Sequence, residues 1–187
     1  SGKCYLSLNE QNYSANRGAC LQNCRKAYTV KEKESGRELD IENEYIMSPK
    51  DLCTIHFINK ILDSGVSVLK LEGRARSPEY VHTVVTCYRE AVESYFEGTY
   101  TQKKIDAWIK QLSTVFNRGF WDGYYLGQTL GEWSHVYGSQ ATKKKMYVGK
   151  GMNYFSKISV AEFLCEATEL KVGDEILITG PTTGVIQ

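Results

Sequence analysis

Apolar residues recur at helical intervals in three stretches of the chain. Leu52, Ile55, Ile58, Ile61 and Leu62 form the first set, and Val81, Val84, Val85, Tyr88, Val92 and Tyr95 the second. Ile105, Trp108, Ile109, Leu112 and Val115 form the third. Recurrence every three or four residues gives a helix one apolar face to bury. The first helix is predicted to open with Ser48 as N-cap and Pro49 at its first position, and to stop at Gly65. The second opens at Ser77-Pro78 and runs to about Phe96, and the third covers about residues 103–116. Short runs rich in branched residues, 45–47 and 66–71, precede the first two helices and read as strands. Strand, helix, strand, helix implies parallel strands with crossover helices, an α/β arrangement.

The pattern changes along the rest of the chain. Residues 117–140 are crowded with glycine and aromatic side chains and read as an irregular connector. From Met146 onward, the short segments MYVGKG, YFSKISVAEFLCEA and LKVGDEILITGP are split by Gly and Asp turns. Their spacing suggests part of a small antiparallel barrel. The division is expected near residues 130–145, with one domain over 1–130 and a second over 140–187. Residues 1–44 show no periodicity, apart from a possible hairpin at Ser35-Gly36. An irregular stretch that long is usual only when it is functional or cross-linked.

That stretch holds three of the six cysteines. Cys4, Cys20 and Cys24, with Cys53, are spaced C-x15-C-x3-C-x28-C. This is neither the paired C-x2-C of a zinc ribbon nor a ferredoxin run, so spacing leaves a metal or iron–sulfur site and free thiols both open. A disulfide framework is disfavoured, because six cysteines in 187 residues is sparse and no export signal is visible. Cys87 and Cys165 read as packed thiols within their elements. The opening without Met and the final strand-like run suggest a fragment.

Composition narrows the classes. With 42% hydrophobic residues and 24% charged, the chain is that of a globular protein, and a net charge of +1 argues against a strongly basic coat. No apolar run approaches membrane-spanning length, and a cytoplasmic location is expected. Lys143, Lys144 and Lys145 read as a solvated turn. Glu72 and Arg74 follow the run 66–71, where strand ends of α/β folds carry sites. One would be an acid or base and the other an anion clamp, or the two form a surface pair. Arg25, next to Cys24, would balance a thiolate-bound cluster or be a solvated arginine. His56, His82 and His135 have no partner at ligand spacing. Tyr100, Trp108, Phe120, Trp121, Tyr124 and Tyr125 could stack nucleobases, but aromatics at helix ends are more often core.

Longer motifs carry a resemblance. SGKCYLS, NRGACLQNCRKAY, MSPKDLC and VLKLEGRARSPEYVHTVVTCYREA, followed by NRGFWDGYY and LKVGDEILI, resemble successive segments of the collagenase-like peptidases of family U32. The resemblance implies the last strand–helix units of a TIM-like barrel followed by part of a small β-barrel. It implies an oxygen-sensitive iron–sulfur cluster, of the 4Fe-4S type, held by Cys4, Cys20, Cys53 or Cys24 and an upstream thiolate this chain lacks. By the same resemblance Arg25, Glu72 and Arg74 line the site. The implied activity is hydroxylation without molecular oxygen, on the wobble uridine of tRNA ahead of rRNA or ubiquinone, with tRNA and a further subunit as partners. The chain alone is expected to be inactive. The departure is Lys26, where many members have Trp. Two alternatives remain: a peptidase, as the family name says, and an RNA-binding or assembly module with structural cysteines.

Overall fold

The computed structural model describes residues 4–13, 15–18, 20–38, 45–74 and 76–186. Four α-helices occur among them: α1 (Tyr5–Gln11), α2 (Ile58–Asp63), α3 (Pro78–Phe96) and α4 (Gln102–Thr114). The strands are β1 (Asp51–Leu52), β2 (Phe120–Trp121), β3 (Gly149–Phe155), β4 (Val160–Cys165), β5 (Ile178–Gly180) and β6 (Gly184–Ile186). They form three two-stranded sheets: β1–β2 parallel, β3–β4 and β5–β6 antiparallel. Among the described residues no sheet closes into a barrel.

The core lies where α2, α3 and α4 meet. Ile55, Ile58, Cys87 and Ala91 are fully enclosed, and Cys53, Ile105, Trp108 and Leu112 nearly so. Each large apolar side chain removed from water there contributes about 1.5–3 kcal/mol. Trp108 stacks on Tyr100 with ring centroids 6.1 Å apart, and its indole N–H donates to Glu90 Oε2 at 2.8 Å. The Tyr100 hydroxyl in turn donates to the Ile55 carbonyl at 2.6 Å. The helix expected over 103–116 therefore forms with its predicted face inward.

The helix expected from residue 77 also forms, with its buried face shifted from the expected one. Val84, Cys87, Tyr88 and Ala91 face inward, whereas Val81 and Val85 are exposed at 41% and 44%. Its Ser77 has the extended backbone of an N-cap, followed by Pro78.

The first expected helix stops at Gly65 as expected, where φ is positive, but its opening is overruled. Residues 45–47 make a turn rather than a strand, with the Ser48 N–H donating to the Tyr45 carbonyl. Ser48 caps nothing: its hydroxyl accepts from Arg25 and its carbonyl from the Ser134 N–H. The backbone beyond it bonds to distant chain, Lys50 to Glu132, Asp51 to Gly119 and Cys53 to Trp121. These tertiary bonds outweigh the local preference for a cap, and helix begins only at a 3-10 turn over Ile55–Phe57 that leads into α2. Residues 66–71 likewise form no strand. Among the described residues they have no ladder partner, and Val68 is 82% exposed.

Beyond residue 145 the expected β segments appear as two hairpins. The run 154–167 is split by a turn in which Ser159 adopts positive φ, so β3 and β4 pair with each other. Gly149 sits against the Leu164 backbone, where a Cβ would have no room. Lys145 pairs with Glu79 of α3, and Lys143 with Glu175 at 2.7 Å, so the expected solvated turn is tethered at both ends. No helix among the described residues is long and apolar enough to cross a membrane.

Candidate functional site

The four candidate thiols sit in different surroundings. Cys4 precedes α1, and its sulfur accepts the Ser7 N–H at 3.5 Å; the Ser7 hydroxyl and that N–H together hold its pKa below the ordinary thiol value. Ser7 is buried, and its hydroxyl accepts the Leu21 N–H at 3.2 Å. That bond ties the start of α1 to the segment carrying Cys20, whose side chain is exposed. Cys24 lies in a 3-10 turn, half-buried, beside Arg25. Cys53 is 4% exposed at the end of β1, within the helical core. Soft thiolates suit iron–sulfur chemistry. Yet among the described residues no group of three His, Cys, Asp or Glu side chains is placed to hold a metal ion. As arranged here, the four thiols do not frame such a cluster. Cys87 is enclosed, its thiol donating to Gln111 Oε1 at 3.1 Å, whereas Cys165 is exposed rather than packed.

Glu72 and Arg74 do meet, but at the surface. The Arg74 N–H donates to Glu72 Oε1 at 2.7 Å and, with Lys70 nearby, holds that carboxyl below its usual range. Both side chains are exposed and have no strand end beneath them.

Arg25 is built into the fold. Its Nη1 donates to Ser48 Oγ at 3.1 Å and to the Pro49 carbonyl at 2.9 Å. Two residues on, Asp51 receives Arg118 twice, from the backbone N–H at 3.0 Å and from Nη1 at 3.2 Å. The Arg118 side chain is 7% exposed. Its guanidinium carbon lies 4.9 Å from the centre of the Phe116 ring, and that of Arg76 lies 3.9 Å from the same ring. Partial burial and the neighbouring Arg118 push the Arg25 pKa down, so its charge is less favoured than in water. Sequence reasoning missed Arg76 and Arg118. Their signals were the basic pair within EGRARS and the NRG that opens the connector.

A second grouping was also missed. His56 Nε2 lies 2.8 Å from Asp122 Oδ1, so His56 does have a partner. The two line a cavity of about 350 Å³ together with Cys53, Gln102, Ile109 and Phe120. A cysteine, a histidine and an aspartate in one cavity is the donor set of a cysteine hydrolase. The thiol, however, is not activated. Burial pushes the Cys53 pKa up, and the Asp122 carboxylate adds to the shift. Of the aromatics weighed for stacking, Trp108, Tyr100 and Phe120 belong to the core, while Tyr124 and Tyr125 are each 63% exposed.

Comparison with known proteins adds a lineage. The description "Peptidase family U32" matches residues 1–135. A protein named "Collagenase" from Porphyromonas gingivalis is 70% identical over 186 residues, covering 100% of this chain and 45% of its own. "tRNA hydroxylation protein P1" of Bacillus subtilis is 33% identical over 189 residues, covering 97% of this chain and 44% of its own. "23S rRNA 5-hydroxycytidine C2501 synthase" of Escherichia coli is 36% identical over 97 residues, covering 52% of this chain and 14% of its own. The chain spans about half the length, or less, of these relatives. No solved structure matches it.

Proposed function

Because the chain belongs to peptidase family U32, we propose that it is part of an RNA-modifying protein of the tRNA-hydroxylation type rather than of a peptidase. The observation that carries this reading is the state of Cys53. A cysteine hydrolase needs a thiolate, which a cationic neighbour lowers into reach near neutral pH. Here the sulfur is shut away from water, and the nearby carboxylate works against ionisation. The names of relatives at 33–36% identity support the RNA side. In the whole protein the α/β part would contribute strand–helix units to a TIM-like barrel, and the hairpins would belong to a small β-barrel that positions RNA through its phosphates.

The test is to compare nucleosides of total tRNA from cells with and without the parent gene. Loss of 5-hydroxyuridine-type modification is expected, and unchanged tRNA would overturn the reading. A cluster on Cys4, Cys20, Cys24 and Cys53 would require those thiols to be drawn together from the present arrangement. Iron and sulfide analysis of the parent purified without oxygen decides that point. The peptidase reading rests on the Cys53–His56–Asp122 cavity and on the name of the 70%-identical relative. Peptide cleavage that survives chelation and stops when Cys53 is alkylated would establish it.

A further inference from the structure

Arg25, Arg76 and Arg118 bring three positive charges near one another, and among the described residues one carboxylate pairs with them. Arg118 and Arg76 both lie against the one ring, at 4.9 and 3.9 Å. Arg25 is fixed on the Ser48 hydroxyl and the Pro49 carbonyl, two residues from the carboxylate that holds Arg118. Among the described residues, Asp51 is the carboxylate at ion-pair distance from this group, and Arg118 takes it up. Among the described residues three guanidiniums thus share one acid, and all three residues are partly or almost wholly withdrawn from water. Such an excess of charge in a poorly hydrated place is unfavourable unless an anion joins it. The depressed pKa of Arg25 is the same tension seen from one member.

We propose that Arg25, Arg76 and Arg118 form a binding site for a phosphate group. The three forks come from three separate segments: the turn after Cys24, the lead into α3, and the end of the α4–β2 connection. Convergence from several directions suits a tetrahedral ion with acceptor oxygens on every side better than a planar carboxylate, which one fork already satisfies. Tyr80, whose ring lies 5.7 Å from the Arg76 guanidinium carbon, adds a phenol at the rim. Access is open, because Arg76 also lines a shallow groove of about 540 Å³ along α3 with Val81, His82 and Val85. The phosphate would come from a polynucleotide backbone or from a small phosphorylated compound. The site does not depend on the RNA reading above.

The experiment is calorimetric titration of the 187-residue chain with inorganic phosphate at fixed ionic strength, with acetate as the planar comparison. Saturable phosphate binding is expected, with acetate weaker by at least about tenfold. Arg76→Gln should weaken phosphate binding at least about tenfold while leaving the circular dichroism unchanged. Arg76→Lys keeps the charge, protects against loss of fold, and should fall between the two. Arg89→Gln, on α3 and paired with Glu93, should change nothing. No saturable binding, equal affinity for acetate, or binding indifferent to both Arg76 variants would overturn the site. Displacement of phosphate by a single-stranded RNA oligonucleotide assigns it to a polynucleotide backbone. Failure of RNA to displace it assigns a small phosphorylated compound, and both outcomes uphold the site.

Discussion

Asp51→Asn tests whether the contact between Asp51 and Arg118 holds the seam between β1 and β2. Asn keeps an acceptor for the Arg118 backbone N–H and removes only the charge. At about 4 Å and an effective dielectric near 20, that charge is worth about 4 kcal/mol to Arg118. The Arg118 side chain is 7% exposed and that of Asp51 30%, so the partner left behind is buried while the altered residue is partly wet. Losing one member of a fully buried pair costs about 3–5 kcal/mol, and discounting for the exposure of Asp51 gives about 2–3. Urea unfolding followed by tryptophan fluorescence measures the loss. Glu132→Gln provides the comparison, since the Lys50–Glu132 pair at 2.6 Å is more exposed and should be worth no more than about 1 kcal/mol. Asp51→Asn combined with Arg118→Met should lose less than Asp51→Asn alone, because the most deeply buried charge is removed with its partner. A loss from Asp51→Asn no greater than that from Glu132→Gln would refute the reasoning.

Three further outcomes are expected. Trp108→Ala should destabilise by about 3–5 kcal/mol and Trp108→Phe by about 1–2, the latter mainly from the lost indole hydrogen bond to Glu90, both read from urea midpoints. Burial pushes the Cys87 thiol up from 9.0 to about 11, so the fold prefers its neutral form. That stabilisation is complete below about pH 9 and fades as the pH rises toward 11, by on the order of 2–3 kcal/mol; Cys87→Ala should flatten this part of the stability curve, and an unaltered slope would contradict it. Gly149→Ala would drive a Cβ into the Leu164 carbonyl. Amide protection along β3 and β4 should fall while the unfolding midpoint of the helical core stays put.

The helical core was the most legible part of the sequence. Ile105, Trp108 and Leu112 announce α4 because one helix face must be apolar, and that face is the one buried. The α3 helix was equally clear, but the choice between Val81 or Val85 and Cys87 or Ala91 depends on what packs against it. Periodicity alone does not hold that information. Ser48-Pro49 misled because a good local cap loses to long-range backbone bonds at Lys50, Asp51 and Cys53. The Arg25–Arg118–Arg76 group and the His56–Asp122 pair were illegible for the same reason. Each joins residues far apart in the chain through pairing of β1 with β2, and no spacing rule reports that. The thiols could be counted but not placed, since their surroundings are set by segments with no periodicity.

The parallel pairing of Asp51 with Phe120 and Leu52 with Trp121 has a kinetic consequence. It closes a loop that contains both long helices, and such a closure carries an entropic penalty before any contact rewards it. Docking of α3 on α4 needs only nearby chain and can come first, leaving the two-residue seam to zip last. Brief unzipping under native conditions would then part Arg25 and Asp51 from Arg118 while the helix pair stays intact. Hydrogen exchange at the Asp51 and Cys53 amides, bonded to Gly119 and Trp121, would report that opening on its own timescale.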